Sequence, residues 1–354
     1  MIDYKNIPED QISAVHALEG RTLTTGWLIT KKVSAKPGST GGNFSVCYLC
    51  EKDGQEGFLK AFNILSFLRD ENPDLLEATT QSLNTFNFER DLMKKCANSN
   101  CSKVSRLLES DQENISGFLI ANVYYLIFEK AEGDVRNHLN FSKSVDIAWK
   151  LRSLHNIAVG LKQLHTIGIG HQDVKPSNVF IFEEIASKLG DLGRSLSKDF
   201  SGPHSDLKFS GDTRYAPPEV FYGYFLPEWE DRVKSIDCYL LGSMAAYYFT
   251  GQNMTALYSQ NINSQINVLS IPFESALPYW MEAFENSMNE IDSALGDFPQ
   301  KDDVISLVKM LCFPDPTVRG HNKNITNGKN NYRLERIVTA LNVLATKAEY
   351  NITN

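Results

Sequence analysis

Apolar positions follow two regimes along the chain. In the first third they come as short runs at 26–33, 43–50 and 57–62. The separators K-P-G-S-T-G-G and K-D-G-Q-E-G are turn sequences, so these runs predict strands joined by tight or glycine-bearing connections. A more polar stretch at 75–96 predicts a helix, and two further apolar runs follow at 118–120 and 123–128. Beyond residue 129 the period changes. Ile147, Leu151, Leu154, Ile157, Ala158, Leu161 and Leu164 recur at helical spacing and give the stretch 144–167 one apolar face. Further helices are predicted at 235–249, 304–312 and 333–348. The Asn-rich run at 321–331 predicts an exposed connection. The pattern therefore predicts an α+β chain, with a small strand-rich part first and a larger helical part after a division near 130–133.

Composition narrows the class. A chain of 354 residues leads one to expect about two domains at ~150 residues each. With 42% hydrophobic and 22% charged residues it can bury a core, which excludes wholesale disorder. The net charge of −8 argues against a nucleic-acid-binding role. No apolar run reaches the ~18 residues of a membrane helix, and the mixed charges of M-I-D-Y-K-N-I-P-E-D do not resemble a signal peptide. A soluble, cytoplasmic protein without membrane contact is expected. Six cysteines do not make a disulfide scaffold. Cys47 and Cys50 form C-x-x-C, but on a strand that spacing sends the thiols to opposite faces, unsuited to a shared zinc ion.

Chemistry concentrates in G-H-Q-D-V-K-P-S-N-V-F-I-F, residues 170–182, followed by G-D-L-G at 190–193. Taken in this order, the two segments resemble the catalytic loop and metal-binding loop of eukaryotic-like protein kinases, H-R-D-x-K-x-x-N and D-F-G. The resemblance runs from about residue 26 to 319. It implies a bilobal protein-kinase-like fold with ATP between a small β-rich N-lobe (26–130) and a larger helical C-lobe (131–354), after an N-terminal extension (1–25) left available for regulation or a partner. Phosphoryl transfer is mainly positioning and charge stabilisation. Under the resemblance, Asp173 faces the acceptor hydroxyl and Lys175 neutralises the transferring phosphate. Asn178 and Asp191 supply oxygen ligands to Mg²⁺, with Mn²⁺ as an alternative.

The remaining nucleotide contacts are implied in the same way. Lys60, in E-G-F-L-K-A-F, resembles the strand lysine that holds the ATP phosphates. Glu89 in the following helix is its expected partner, with Glu77 as the alternative, and the long interval implies an insertion around 63–84. The glycine loop is degenerate: Gly41, Gly42, Phe44, Ser45 and Cys47 occupy its phosphate- and adenine-facing positions. Successive backbone N–H groups there can cradle phosphates. The segment Y-L-I-F-E-K-A-E-G-D resembles the inter-lobe hinge. Phe128 would stand behind the adenine, the backbones of Glu129 and Ala131 would bond its edge, and Asp134 would reach the ribose. Phe58 and Phe180 would flank the ring.

Three further residues carry structural expectations. G-D-T-R-Y-A-P-P-E, 211–219, resembles the segment ending in A-P-E, so Glu219 is expected to pair with Arg319. Asp237 resembles the buried aspartate that anchors the catalytic loop. Gln172 replaces the arginine that receives an activation-loop phosphate, so activity is expected not to need phosphorylation within 195–210. Asp212 stands where a serine/threonine kinase often has threonine. The resemblance is nearest to bacterial Ser/Thr kinases of the non-RD kind. It implies phosphoryl transfer from ATP to Ser/Thr hydroxyls of a protein substrate, including the chain itself, and no attached sensor or DNA-binding domain. The rival readings are a nucleotide-binding pseudokinase scaffold and a small-molecule phosphotransferase. Nothing in the sequence fixes the oligomeric state.

Overall fold

The computed structural model describes residues 7–34, 44–68, 74–141, 146–183, 186–326 and 331–353. These residues form two compact units, with the chain passing from the first to the second between Ala131 and Glu132.

The first unit holds the described residues of Met1–Asn100, Ser105–Ala131 and Phe200–Pro203. Its elements are α1 (Glu9–Ile12), β1 (Leu28–Val33), β2 (Ser45–Lys52), β3 (Gln55–Phe62), α2 (Leu75–Asn98), β4 (Leu107–Asn114) and β5 (Asn122–Glu129). The five strands pair in the order β1-β2-β3-β5-β4, antiparallel throughout. Asp53 and Gly54 form the two-residue link from β2 to β3, both with positive φ (50° and 78°). That conformation matches the twist of the flanking strands and explains the D-G signal. One sheet face buries Tyr48, Leu59, Tyr125 and Ile127 against Ala14, Val15, Leu18, Leu23 and Trp27. The segment expected to be a separate extension therefore contributes to this core. The Tyr48 hydroxyl also donates to the Val15 carbonyl at 2.7 Å.

The run at 118–120 is not a strand. The partner of β5 is the polar L-L-E-S-D-Q-E-N of β4, at the edge of the sheet. An edge strand with little buried area needs no apolar alternation, because pairing with β5 decides its conformation. Helix α2 is capped by Asp74, whose side chain accepts from Leu76 N and Glu77 N. A 3-10 turn, Ile64–Phe67, capped by Asn63, occupies part of the interval where an insertion was expected.

The second unit holds Cys101–Val104 and the described residues of Glu132–Asp199 and His204–Asn354. It contains β6 (Gly133–Asp134), α3 (Val135–Phe141), α4 (Ile147–Thr166), β7 (Ile169–Gly170), β8 (Val179–Phe182), β9 (Ala186–Leu189) and β10 (Leu196–Ser197). There follow α5 (Pro218–Phe221), α6 (Trp229–Thr250), α7 (Met254–Asn261), α8 (Phe273–Leu295), α9 (Lys301–Cys312), α10 (Asn322–Thr326) and α11 (Glu335–Thr353). Helix α4 buries Leu151, Leu154, Ile157, Ala158, Leu161 and Leu164. Helix α6 buries every residue from Ser235 to Ala246, so its middle is covered all round, Gly242 and Ser243 included. All six cysteines are thiols rather than disulfides, and no described helix is long and apolar enough to cross a membrane.

Candidate active site

In the first unit, the buried stripe of α2 runs Ala78, Ser82, Phe86, Glu89, Met93 and Cys96. Glu89 is the one carboxylate in that stripe, 1% exposed. A charge in such a position needs a partner. Lys60 on β3 supplies it, with Nζ at 2.8 Å from Oε2 and 3.0 Å from Oε1. Glu77 is exposed and bonds Gln81 instead. The family resemblance, with Glu89 nearer than Glu77 to the following strand, was the sequence signal for this choice.

Cys47 lies opposite Lys60 in the β2–β3 ladder, and Ser45 lies opposite Phe62. Ser45 is buried, and Phe44 is exposed with its ring 5.2 Å from that of Phe67. Gly41 and Gly42 lie outside the described residues. Phe58 and Phe128 are direct partners across β3 and β5, and Glu129 faces Gly57. The Glu129 N–H donates to the Arg106 carbonyl at 3.0 Å, while its side chain accepts from Arg106 N. Ala131 ends this unit's stretch of chain.

In the second unit, the loop between β7 and β8 is largely buried and anchored at several points. Asp237 on α6, 0% exposed, accepts from the backbone N–H groups of His171 (2.9 Å) and Gln172 (2.8 Å). It also bonds His165 Nε2 at 2.8 Å. His171 Nδ1 accepts from Asp173 N at 3.3 Å, which puts the ring proton on Nε2, facing the Gly190 carbonyl at 3.2 Å. Gln172 takes a left-handed backbone, φ 64°. Its amide donates to Val233 O and Asp237, so the side chain is turned into the protein.

These anchors hold Asp173, Lys175 and Asn178 together. Lys175 Nζ lies 2.9 Å from Asp173 Oδ2, and Asn178 Nδ2 lies 3.0 Å from the same oxygen and 2.9 Å from the Asp173 carbonyl. Asp191 opens the 3-10 turn Leu192–Arg194 with a left-handed backbone, φ 57°. Gly190 N donates to Asn178 O at 3.0 Å, which brings the two expected metal ligands onto adjoining backbone. Because the Asn178 amide nitrogen is committed to Asp173, its oxygen is left to serve as a ligand, with only a 3.4 Å contact from Ser177 Oγ. An amide oxygen and a carboxylate suit a small hard cation. Among the described residues no three His, Cys, Asp or Glu side chains gather as a metal cage. Magnesium sites of this kind complete their shell with phosphate oxygens and water.

Phe180 on β8 pairs with Asp134 and Lys188, and a side chain at Gly190 would strike its ring. The Asp134 carboxylate caps α3, accepting from Asn137 N and Nδ2, both at 2.8 Å. This use of both oxygens was not expected from the sequence. Asp212 was noted in the sequence only as a departure, yet it belongs to the site. Its backbone N–H donates to Asp173 Oδ1 at 3.0 Å, and its carboxylate lies 3.6 Å from Lys175 Nζ.

A model of the protein kinase domain matches residues 40–329. The chain belongs to the protein kinase domain family, with the β-rich first unit and helical second unit of that fold. It is similar to an Aurora kinase of Debaryomyces hansenii, 24% identical over 252 residues, which are 68% of this chain and 55% of that protein. It is also similar to the serine/threonine-protein kinase SSN3 of Yarrowia lipolytica, 27% identical over 231 residues, 61% of this chain and 50% of that protein. A Wee1-like protein kinase of Arabidopsis thaliana is 34% identical over 110 residues, 31% of this chain and 20% of that protein. The chain thus spans about half the length of the first two relatives. These relatives are fungal and plant proteins and lend no support to a bacterial type.

Proposed function

We propose that the chain is an active protein kinase that transfers the γ-phosphoryl group of ATP to Ser or Thr hydroxyls of a protein, itself included. The observation that carries this reading is the convergence of Asp173, Lys175 and Asn178 within hydrogen-bonding distance on one buried, anchored loop. A scaffold that only binds nucleotide has no need of that arrangement.

Asp173 is assigned to orient the acceptor hydroxyl and take its proton. Lys175 carries the positive charge that offsets the transferring phosphate. Asn178 and Asp191 would hold Mg²⁺, which supplies neutralisation of the phosphate oxygens. In the first unit, Lys60 is assigned to the ATP phosphates and is oriented by Glu89. Gly41, Gly42, Phe44, Ser45 and Cys47 are assigned to the loop over the nucleotide, and Phe58, Phe128, Glu129, Ala131, Asp134 and Phe180 to the adenosine. The presence of Lys175 supports Ser/Thr over Tyr as acceptor, and a cytoplasmic setting fits this chemistry. The burial of Gln172 supports a kinase whose activity does not wait for a phosphate on its own loop.

Intact-protein mass after incubation with ATP and Mg²⁺ tests the reading, with wild type run beside Asp173→Ala and with casein added as acceptor. Phosphate on wild type or casein, absent with the variant, is expected, and peptide mapping would place it on Ser or Thr. ATP binding without transfer in either protein would favour the pseudokinase scaffold instead.

A further inference from the structure

Asp173 has little acceptor capacity to spare. Its Oδ1 receives Lys175 Nζ at 3.2 Å and Asp212 N at 3.0 Å. Its Oδ2 receives Lys175 Nζ at 2.9 Å and Asn178 Nδ2 at 3.0 Å. A carboxylate offers about four lone-pair directions, so an incoming hydroxyl needs one donor to withdraw. The Asp212 N–H is fixed in the backbone, and the Asn178 amide is held by a second bond to the Asp173 carbonyl. Lys175, on a flexible stem, is the donor able to move.

A second carboxylate competes for that ammonium. Asp212 Oδ2 lies 3.6 Å from Lys175 Nζ. Left to itself, an anion there would draw Lys175 away from the transferring phosphate. It is not left to itself. Arg214 grips the Asp212 carboxylate as a fork, Nε to Oδ1 at 2.9 Å and Nη2 to Oδ2 at 2.7 Å, and its backbone N–H adds a third bond at 3.1 Å. Such two-pronged pairs fix geometry as well as charge.

We propose that Arg214 is a positioning residue for phosphoryl transfer: by holding the Asp212 carboxylate in its fork, it keeps Lys175 at the service of Asp173 and the phosphate. This rests on the kinase reading above. Burial works against ionisation of Asp212, but the Arg214 hydrogen bonds and the Lys175 charge outweigh it and hold the carboxyl at about 2. The competing anion is therefore present throughout the working pH range. Arg214 itself is 64% exposed while the Asp212 side chain is 11% exposed, so what the loss of Arg214 changes most directly is the carboxylate's hold on Lys175, which is read in turnover.

The test compares wild type, Arg214→Ala, Asp212→Thr and the double variant. Arg214→Ala lowers kcat roughly tenfold with KM for ATP nearly unchanged. Removing Arg214 from the Asp212→Thr protein then produces no further loss. A merely structural arginine would show the same loss in both backgrounds. A second readout does not need activity: the ¹⁵N signal of the Lys175 ammonium, assigned by its disappearance in Lys175→Arg. That signal shifts in Arg214→Ala and not when Arg214→Ala is added to Asp212→Thr. If the kcat loss persists in the Thr background, or the ammonium signal stays in place, the proposal is overturned. If wild type transfers no phosphate, the kinase reading falls by itself, and the ammonium signal still decides whether Arg214 governs Lys175.

Discussion

Glu219 and Arg319, a hundred positions apart, meet as a two-pronged buried pair at 2.7 and 2.9 Å. Arg319 is 0% exposed, and its remaining donors reach Ser235 O, Ser235 Oγ and the Phe313 carbonyl. Burial opposes its charge, yet the Glu219 carboxylate more than offsets this and raises its pKa above the ordinary arginine value. Removing the guanidinium would leave Glu219 buried as an uncompensated charge. Arg319→Met is expected to destabilise the protein by about 3–5 kcal/mol, read as a fall in the urea midpoint. A loss below about 1 kcal/mol would show that Glu219 finds another partner or a proton.

Lys60 and Glu89 differ in what each leaves behind. Lys60→Met deprives a nearly inaccessible carboxylate of its cation, while Glu89→Gln leaves a partly exposed ammonium that water can reach. Both changes are expected to reduce phosphate transfer by about 10²-fold or more. Thermal scans should rank Lys60→Met as the less stable of the two. The reverse ranking would mean that the buried partner is not the costly one.

Asp212 gives a pH dependence whose sign is fixed by its lowered pKa, about 2 against an ordinary 3.8. A carboxyl depressed on folding contributes stability that is fully present above its unfolded value and lost as pH falls through the folded one. The stability difference between wild type and Asp212→Asn should therefore shrink between about pH 4 and pH 2 and vanish below. Urea midpoints across pH 5 to 2 would falsify this if the gap widened toward acid.

The loop serines divide by burial. Ser195 and Ser210 are buried, donating to the carbonyls of His171 and Arg194, whereas Ser201 and Ser205 are exposed. Replacing all five loop serines by alanine would thus mix signalling with structure. The cleaner double variant, Ser201→Ala with Ser205→Ala, is expected to keep kcat within about twofold of wild type. A loss of activity restored by Ser201→Asp or Ser205→Asp would show that a phosphate is needed after all, at a receiver other than Gln172.

Much of the site could be read in the chain because its chemistry depends on short-range order. H-Q-D-V-K-P-S-N places Asp173, Lys175 and Asn178 within six positions of one another. Glu89 was legible through the family resemblance and its place nearer the following strand than Glu77, while its burial in the apolar stripe of α2 came only with the structure. Helix α8 and strand β4 are not legible in the sequence. The first is amphipathic but carries Pro278 inside it, a residue that reads as a helix breaker, and the second is a polar edge strand defined only by pairing with β5. Asp134 had a legible position, but its commitment to capping α3 depends on a local turn geometry that spacing does not reveal.

By itself the sequence determined the order of strand-rich and helical parts and the gathering of Asp173, Lys175 and Asn178 on one short loop. Each of these is set by periodicity or by residues close along the chain. Only the tertiary structure decided that Ala14, Val15, Leu18, Leu23 and Trp27 belong to the sheet's core, that Gln172 faces inward onto Asp237, and that Asp212 and Arg214 join the Lys175 charge cluster. The reason is physical. Hydrophobic burial is non-directional and charges interact through space, so which distant residues share a core or a cation is settled only when the chain has closed upon itself.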